Sequence, residues 1–155
     1  MSNRNKGQHR LRAGRWSAEG VSYFITWTTK DRTPLPDFEI ATRVLKECLS
    51  FLAQHDAIDP ICFVVIPDHV HLVFTLVKGD LAVVMNRLKT FTSREINRLS
   101  GRQGALWGAQ YYEHQIRAEE PLTKIVRYCY ENPVRKGIVT APRDWPHWWC
   151  QWAMD

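Results

Sequence analysis

The sequence predicts an α+β domain built on a central antiparallel sheet, with helices packed on one face of that sheet. Four stretches rich in β-branched and aromatic residues supply the expected strands. Apolar residues recur at helical spacing in two of the stretches that separate them. The resulting order of strand, helix, strand, strand, helix, strand is the split βαβ, ferredoxin-like pattern.

Most elements have a local signal of their own. Residues 21–29 (VSYFITWTT) predict the first strand, and apolar residues at helical spacing predict a helix over residues 38–55. Gly79 and Asp80 mark the start of a second helix. After that helix, residues 111–117 (YYEHQIR) are expected to return as a strand.

Composition restricts the class of protein. The chain has 155 residues, of which 45% are apolar and 24% charged, as expected for one globular domain. It contains no run of about 18 apolar residues and begins with a polar, basic stretch, so we predict neither a transmembrane helix nor a secretory signal. Four cysteines without C-x-x-C spacing indicate reduced thiols in a cytoplasm. Four tryptophans crowd residues 145–152, where they can serve as core cover or as platforms for bases.

The excess positive charge is concentrated at the N-terminus. Five of the 21 basic residues fall within the first fifteen positions, which hold no acid, and the remaining 16 are balanced by 16 acidic residues. We therefore divide the chain into a basic arm, residues 1–18, and a single domain, residues 19–155. Such an arm either contacts nucleic-acid phosphates or is only a solvated leader, and charge alone does not separate these alternatives.

Two histidines lie in the most apolar part of the chain. Residues 62–76 (CFVVIPDHVHLVFTL) predict two buried strands joined by a tight turn at Pro67 and Asp68. His69 and His71 are two positions apart on the second strand, so their side chains point to the same face of the sheet. Two neighbouring imidazoles can bind a divalent metal, and the alternative is that they only form hydrogen bonds at the edge of the core.

A third helix is expected to begin at Pro121 and to end near Asn132 and Pro133, because a proline disfavours helical geometry in the residue before it. At about 100° per residue, Tyr128 and Asn132 lie on one flank of its apolar stripe and Tyr130 on the opposite flank. Tyr128 and Asn132 can therefore approach a common point at the margin of the sheet. The alternative is that Tyr128 is a packing residue.

These motifs resemble those of a known family. The chain contains VVIPDHVHLVF and, about sixty residues later, RYCYENPVRKGIV. The resemblance extends over nearly the whole chain through TWTTKDRTPLP, LKTFTSREINR, LWGAQYYEHQIR and DWPHWW. The sequence is similar to the single-tyrosine HUH transposases, and most of all to the REP-associated tyrosine transposases, which are domesticated bacterial relatives of insertion-sequence enzymes. The resemblance implies an HUH endonuclease-type core.

The resemblance also implies a reaction. By it, His69 and His71 are paired metal ligands, Asn132 completes the metal site and Tyr128 is the nucleophile. The metal would be Mg²⁺ or Mn²⁺, which accept mixed nitrogen and oxygen ligands. Attack by Tyr128 on single-stranded DNA at a palindromic, REP-like hairpin would give a 5′-phosphotyrosyl adduct and a free 3′-OH, from which strand joining can follow.

The same resemblance suggests which side chains meet the DNA. The basic residues expected to contact the guide sequence, the hairpin stem or the backbone phosphates are Arg10, Arg12, Arg15, Arg87, Lys89, Arg94 and Arg98. By their spacing, the three arginines of the second helix share one face and its lysine lies on a different side. Trp107, in the following loop, is expected to stack on a base.

Two other functions remain open from the sequence. A domesticated relative can bind hairpin DNA without cutting it. Alternatively, the histidines can hold a structural Zn²⁺, which is disfavoured because no cysteine or further histidine lies at structural-zinc spacing. We expect a monomer that acts in the bacterial cytoplasm at the nucleoid and has no membrane partner.

Overall fold

The computed structural model describes residues 17–154 and confirms the predicted fold class. Five strands form one sheet: β1 (Ser22–Thr28), β2 (Ile58–Ile66), β3 (His69–Leu76), β4 (Tyr112–Ile116) and β5 (Trp148–Cys150). Three helices accompany them: α1 (Phe38–Gln54), α2 (Leu81–Ser100) and α3 (Leu122–Arg135). The strands have the spatial order β4-β1-β3-β2-β5, and every neighbouring pair is antiparallel. The first four strands thus follow the split βαβ arrangement.

The starts of α1 and α2 have clear chemical causes. The Asp37 carboxylate accepts a hydrogen bond from the Ile40 amide at 3.0 Å, and the Asp80 carboxylate accepts one from the Ala82 amide at 2.8 Å. Each bond satisfies an amide that has no partner within the first helical turn. Helix α2 ends at Gly101, whose φ of 65° lies in the left-handed region that glycine adopts without steric cost.

The helices cover both faces of the sheet, so the prediction that they lie on one face is wrong. Helices α1 and α2 share a hydrophobic core with Ile25 and Trp27 of β1. Helix α3 lies on the other face, where Val126 and Cys129 belong to a second core that includes Val73 of β3. The physical reason is that β2 and β3 carry apolar side chains on both faces, and each face must be shielded from water.

Helix α3 continues through Pro133 to Arg135, although it was expected to end near Asn132. Proline has no N–H, so the helical bond to the carbonyl of the residue four positions earlier is lost, at a typical cost of about 3 kcal/mol. Both Asn132 and Pro133 are buried, and the Lys136 amide still donates to the Asn132 carbonyl at 3.0 Å. Tertiary packing therefore outweighs the local preference.

Strand β5 was not predicted from the sequence, and it shows how the C-terminal tryptophans pack. It pairs with β2 and brings the Trp149 ring to 6.3 Å from that of Phe63. Trp145 Nε1 donates a hydrogen bond to the Val65 carbonyl at 2.9 Å. Trp148 packs against Tyr130 of α3 with ring centroids 5.1 Å apart. These tryptophans therefore cover the sheet and its helix.

Two sequence predictions concern membranes and thiols. None of the helices within residues 17–154 is both long enough and apolar enough to cross a bilayer. All four cysteines lie in that part of the chain and are free, as predicted from their spacing. A hydrogen bond with Cys129, together with burial, raises the pKa of the Cys62 thiol.

The packing of α3 predicts the effect of shortening Val126, which is fully buried. We expect Val126→Ala to lower the free energy of unfolding by about 1–3 kcal/mol, because it removes apolar contacts and leaves a cavity. Urea denaturation followed by circular dichroism measures this change. Val83 on α2 is 51% exposed, so Val83→Ala is a matched control with an expected change within about 0.5 kcal/mol. Equal effects of the two substitutions would contradict the described packing.

Candidate active site

His69 and His71 lie on the same face of the sheet, as the strand periodicity predicted, and α3 covers that face. On β3 they alternate with Val70, which faces the core formed with α1 and α2. The two imidazole centroids are 4.8 Å apart, and each histidine is 6% exposed. In the sheet His71 pairs with Thr26 of β1 on one side and with Val64 of β2 on the other.

Contacts from two other elements hold the His71 ring in place. Thr26 Oγ1 lies 2.7 Å from Nδ1, and the Asn132 side-chain nitrogen of α3 lies 3.1 Å from Nε2. An amide nitrogen can only donate, so Nε2 accepts this bond and Nδ1 carries the proton that is donated to Thr26. The ring is therefore oriented with an electron pair on Nε2, directed toward α3.

His69 is oriented by the adjacent turn residue. Its Nδ1 lies 2.8 Å from Oδ1 of Asp68, and the other oxygen of Asp68 lies 3.3 Å from Nη1 of Arg32. A carboxylate that accepts from Nδ1 fixes the tautomer in which Nε2 is available as a ligand. Carboxylate–histidine pairs of this kind are usual behind metal-binding imidazoles.

Burial keeps both imidazoles neutral at ordinary pH. Desolvation lowers the pKa of His71 to about 3, with further contributions from His69, Arg135 and Lys136. The pKa of His69 is also lowered, mainly by desolvation, although Asp68 opposes that shift. A neutral imidazole retains the electron pair that a metal ligand requires.

The surroundings of Asn132 fit a cation. This residue is 1% exposed, and its side-chain oxygen Oδ1 is buried without a hydrogen-bond partner. A buried polar atom without a partner typically costs about 1–3 kcal/mol. A cation bound by His69, His71 and Asn132 would replace the bond between the Asn132 nitrogen and His71 Nε2, and a half-turn of the amide would direct Oδ1 to that cation. Within residues 17–154 no three His, Cys, Asp or Glu side chains are grouped to hold a metal, so the amide oxygen is the third ligand that the site offers.

Tyr128 lies beside the histidines and is open to solvent. It is 47% exposed, and its ring centroid is 5.9 Å from that of His71 and 6.0 Å from that of Phe24. Tyr130, by contrast, packs against Trp148 on the other flank of α3. The helical geometry predicted this difference between the two tyrosines, and an exposed phenol next to two buried, neutral imidazoles is suited to nucleophilic attack on a bound ester.

Two cations near the site were not predicted. The Arg135 guanidinium lies 4.0 Å from the centroid of the Tyr128 ring and also donates to the Tyr128 backbone carbonyl. Lys136 acts electrostatically on both histidines. The spacing of Tyr128, Asn132 and Arg135 is helical and could have indicated this neighbour. It was overlooked because the helix was expected to end before Arg135.

Among the residues predicted to contact DNA, those within residues 17–154 lie apart from this cluster. Arg10, Arg12 and Arg15 lie outside the described residues. Arg87 and Arg94 are exposed on α2, across the sheet from the histidines, where they border a groove between α1 and α2. Arg98 is exposed on the same helix and forms an ion pair with Glu95. Contacts between these arginines and DNA stay predictions.

Lys89 and Trp107 have structural contacts. Lys89 Nζ donates to the carbonyls of Gly108 and Gln110, at 2.7 and 3.2 Å, and so fastens the loop after α2. Trp107 is 7% exposed, packs edge-on against Trp27 at 5.7 Å and donates from Nε1 to Thr92 Oγ1 at 2.9 Å. We expected Trp107 to stack on a base; its indole packs in the core and borders a groove beside Lys89 and Gly108, and stacking on a base stays a prediction.

Known proteins are similar to this chain in fold and in sequence. Solved structures with the same fold include a REP-associated tyrosine transposase bound to a REP hairpin (TM-score 0.69, 24% identity, covering 91% of this chain and 90% of that one). Another is a transposase from Deinococcus radiodurans R1 (TM-score 0.54, 24% identity, covering 74% of this chain and 92% of that one).

Sequence comparison identifies the family. A REP-associated tyrosine transposase of Haemophilus influenzae is 30% identical, with 83% of this chain and 79% of the relative aligned. A second, from Escherichia coli K12, is 27% identical over 85% of this chain and 78% of its own length. The family model described as "Transposase IS200 like" matches residues 17–132. The chain therefore belongs to the IS200-like transposase family, in the group of the REP-associated tyrosine transposases.

Proposed function

We propose that this transposase cleaves and joins single-stranded DNA at hairpin elements through a covalent 5′-phosphotyrosine intermediate on Tyr128. The observation that carries the proposal is the convergence of an exposed Tyr128 with buried, neutral His69 and His71 and with the unsatisfied oxygen of Asn132. The solved relative bound to a REP hairpin supports hairpin DNA as the partner. We expect the protein to act at the nucleoid in the bacterial cytoplasm.

The nucleophile and the leaving group follow from the chemistry of the phosphodiester. Tyr128 Oη attacks the phosphorus, the bond from phosphorus to the 3′ oxygen breaks, and the phenolic proton is lost to solvent. The departing oxygen takes up a proton and becomes a free 3′-OH, while the 5′ phosphate stays on Tyr128. The ester energy is conserved, so attack by a 3′-OH on the adduct reverses the step and can join strands without ATP.

The other residues of the site would bind the metal, orient the imidazoles and attract the phosphate. Mg²⁺ or Mn²⁺, when bound by His69, His71 and Asn132, would supply Lewis-acid polarisation of a phosphate oxygen. Asp68 and Thr26 hold the two imidazoles in orientation. The positive charge of Arg135 next to the Tyr128 ring draws an anionic phosphate toward the nucleophile.

The first test is a covalent adduct assay. End-labelled single-stranded hairpin DNA is incubated with protein and Mn²⁺ and resolved on a denaturing gel. We expect a shifted band with the wild-type protein and with Tyr130→Phe, and none with Tyr128→Phe, because the Tyr128 ring lies beside His71 and the Tyr130 ring packs against Trp148. Tyr130→Phe is the matched control, since it removes a phenol from the opposite flank of the same helix.

Two outcomes of this assay would contradict the proposal. A band that disappears with Tyr130→Phe would identify Tyr130, and not Tyr128, as the nucleophile. If the wild-type protein forms no adduct on any hairpin yet retards the DNA on a native gel, the protein is a domesticated hairpin-binding protein that no longer cuts.

The hydrogen bond from His69 to Asp68 predicts a change in metal affinity. We expect Asp68→Asn to weaken Mn²⁺ binding by about 10- to 100-fold, because a neutral amide accepts the Nδ1 proton more weakly and can turn its donor nitrogen toward the ring. Free Mn²⁺ measured by electron paramagnetic resonance reports the affinity without any need for activity. Asp59→Asn changes an exposed carboxylate at the far end of β2; it is the control and should leave the affinity for Mn²⁺ unchanged.

A separate experiment tests the structural-zinc alternative. Loss of the folded state when a chelator removes the metal would support that alternative.

We also propose that the protein is a monomer. Light scattering at micromolar concentration measures its mass in solution. A stable dimer in that experiment would contradict the proposal.

A further inference from the structure

A groove opens beside α3, on the side away from the paired histidines, where the helix faces the C-terminal segment. Its volume is about 480 Å³, and its charged lining consists of Arg127, Arg135, Arg143 and one carboxylate, that of Glu131. Apolar side chains, including Tyr130 and Met154, complete it. The volume falls within the range of about 300–1,000 Å³ that is usual for ligand sites. We call it the α3 groove.

The α3 groove is positively charged, and its arginine side chains are free to bind an anion. Arg127, Arg135 and Arg143 are all exposed. Arg127 approaches Glu131 only at 3.7 Å, which is a weak surface pair. Among the ion pairs of residues 17–154, none engages Arg135 or Arg143. An anion entering the groove therefore meets the guanidinium groups of Arg135 and Arg143, which form no ion pair with a carboxylate in the described part of the chain.

Arg135 connects the groove with the proposed nucleophile. Its guanidinium lies over the ring of Tyr128 at 4.0 Å, and the same side chain lines the groove. Arg135 therefore lies between the Tyr128 ring and the rest of the groove. A DNA strand that runs from Tyr128 into the groove would pass Arg135 first and then Arg127 and Arg143.

The apolar part of the groove suits unpaired bases. The Tyr130 ring is half-buried and is held by Trp148, with ring centroids 5.1 Å apart. Sites for single-stranded nucleic acid combine a basic path for the backbone with fixed aromatic rings near the bases. A duplex is a poorer fit, because its bases are stacked inside and cannot reach Tyr130.

We infer that the α3 groove binds the single strand that flanks the scissile phosphate, with Arg127 and Arg143 contacting backbone phosphates. This inference rests on the proposed function of Tyr128 and extends it to a strand-binding surface on the outer side of α3. It uses none of the basic residues predicted from the sequence, which lie on α2 or in the N-terminal arm.

The test measures binding separately from cleavage. All variants are made in a Tyr128→Phe background, and their affinity for a fluorescent hairpin carrying a single-stranded extension is measured by anisotropy over a salt series. We expect Arg143→Gln to weaken binding and to reduce the slope of log K against log salt by about 0.7, the value for one phosphate contact on a single strand. The double variant Arg127→Gln/Arg143→Gln should reduce the slope by about 1.4.

Two controls make the result specific. Arg43→Gln removes an exposed arginine from α1, across the sheet, and should leave the slope unchanged. The effect of Arg143→Gln should also disappear when the single-stranded extension is trimmed from the hairpin. Thermal melting of each variant verifies that it is folded.

The outcomes separate this inference from the proposed function. If the wild-type protein forms the Tyr128 adduct but Arg143→Gln binds with unchanged affinity and slope, the groove inference is wrong and the proposed function stands. An equal loss of affinity for the trimmed hairpin would also overturn it, because the arginines would then contact the duplex. If no adduct forms yet the arginine variants lose binding to the extension, the groove binds single strands and the cleavage proposal fails.

Discussion

The register of β3 between β1 and β2 is the constraint on which the candidate site depends. Side chains alternate along a strand, so a slip of one residue would turn His69 and His71 toward the core formed with α1 and α2. The same slip would move Leu72 out of that core to the face covered by α3, and it would bury the polar imidazoles among apolar side chains. The hydrophobic pattern that stabilises the sheet therefore also fixes the face on which the histidines lie.

The second requirement is the packing of α3 on that face. Its apolar side buries Val126 and Cys129, which places Asn132 against His71 and leaves Tyr128 at the margin. Burying an amide oxygen without a partner lowers stability, and a bound ion is one physical explanation for such a group. The three candidate ligands are also uncharged, so they would leave the charge of a bound cation available to attract a phosphate.

Features that belong to one element were predictable from the sequence. The period of two along a strand placed His69 and His71 together, and the helical period separated Tyr128 from Tyr130. The alternation of strand and helix signals likewise predicted the α+β class and the split βαβ order. Each of these predictions uses only residues that are close in sequence, where backbone geometry dictates which side chains share a face.

Contacts between distant parts of the chain were decided by the tertiary structure. Thr26 meets His71 only because β1 pairs with β3, and β5 is too short to show a pattern of its own. Pro133 indicated the end of a helix, yet burial kept α3 intact and so brought Arg135 to Tyr128. Trp107, expected at the surface, is buried against Trp27. Local propensities amount to a few kcal/mol, and the burial of side chains from several elements outweighs them.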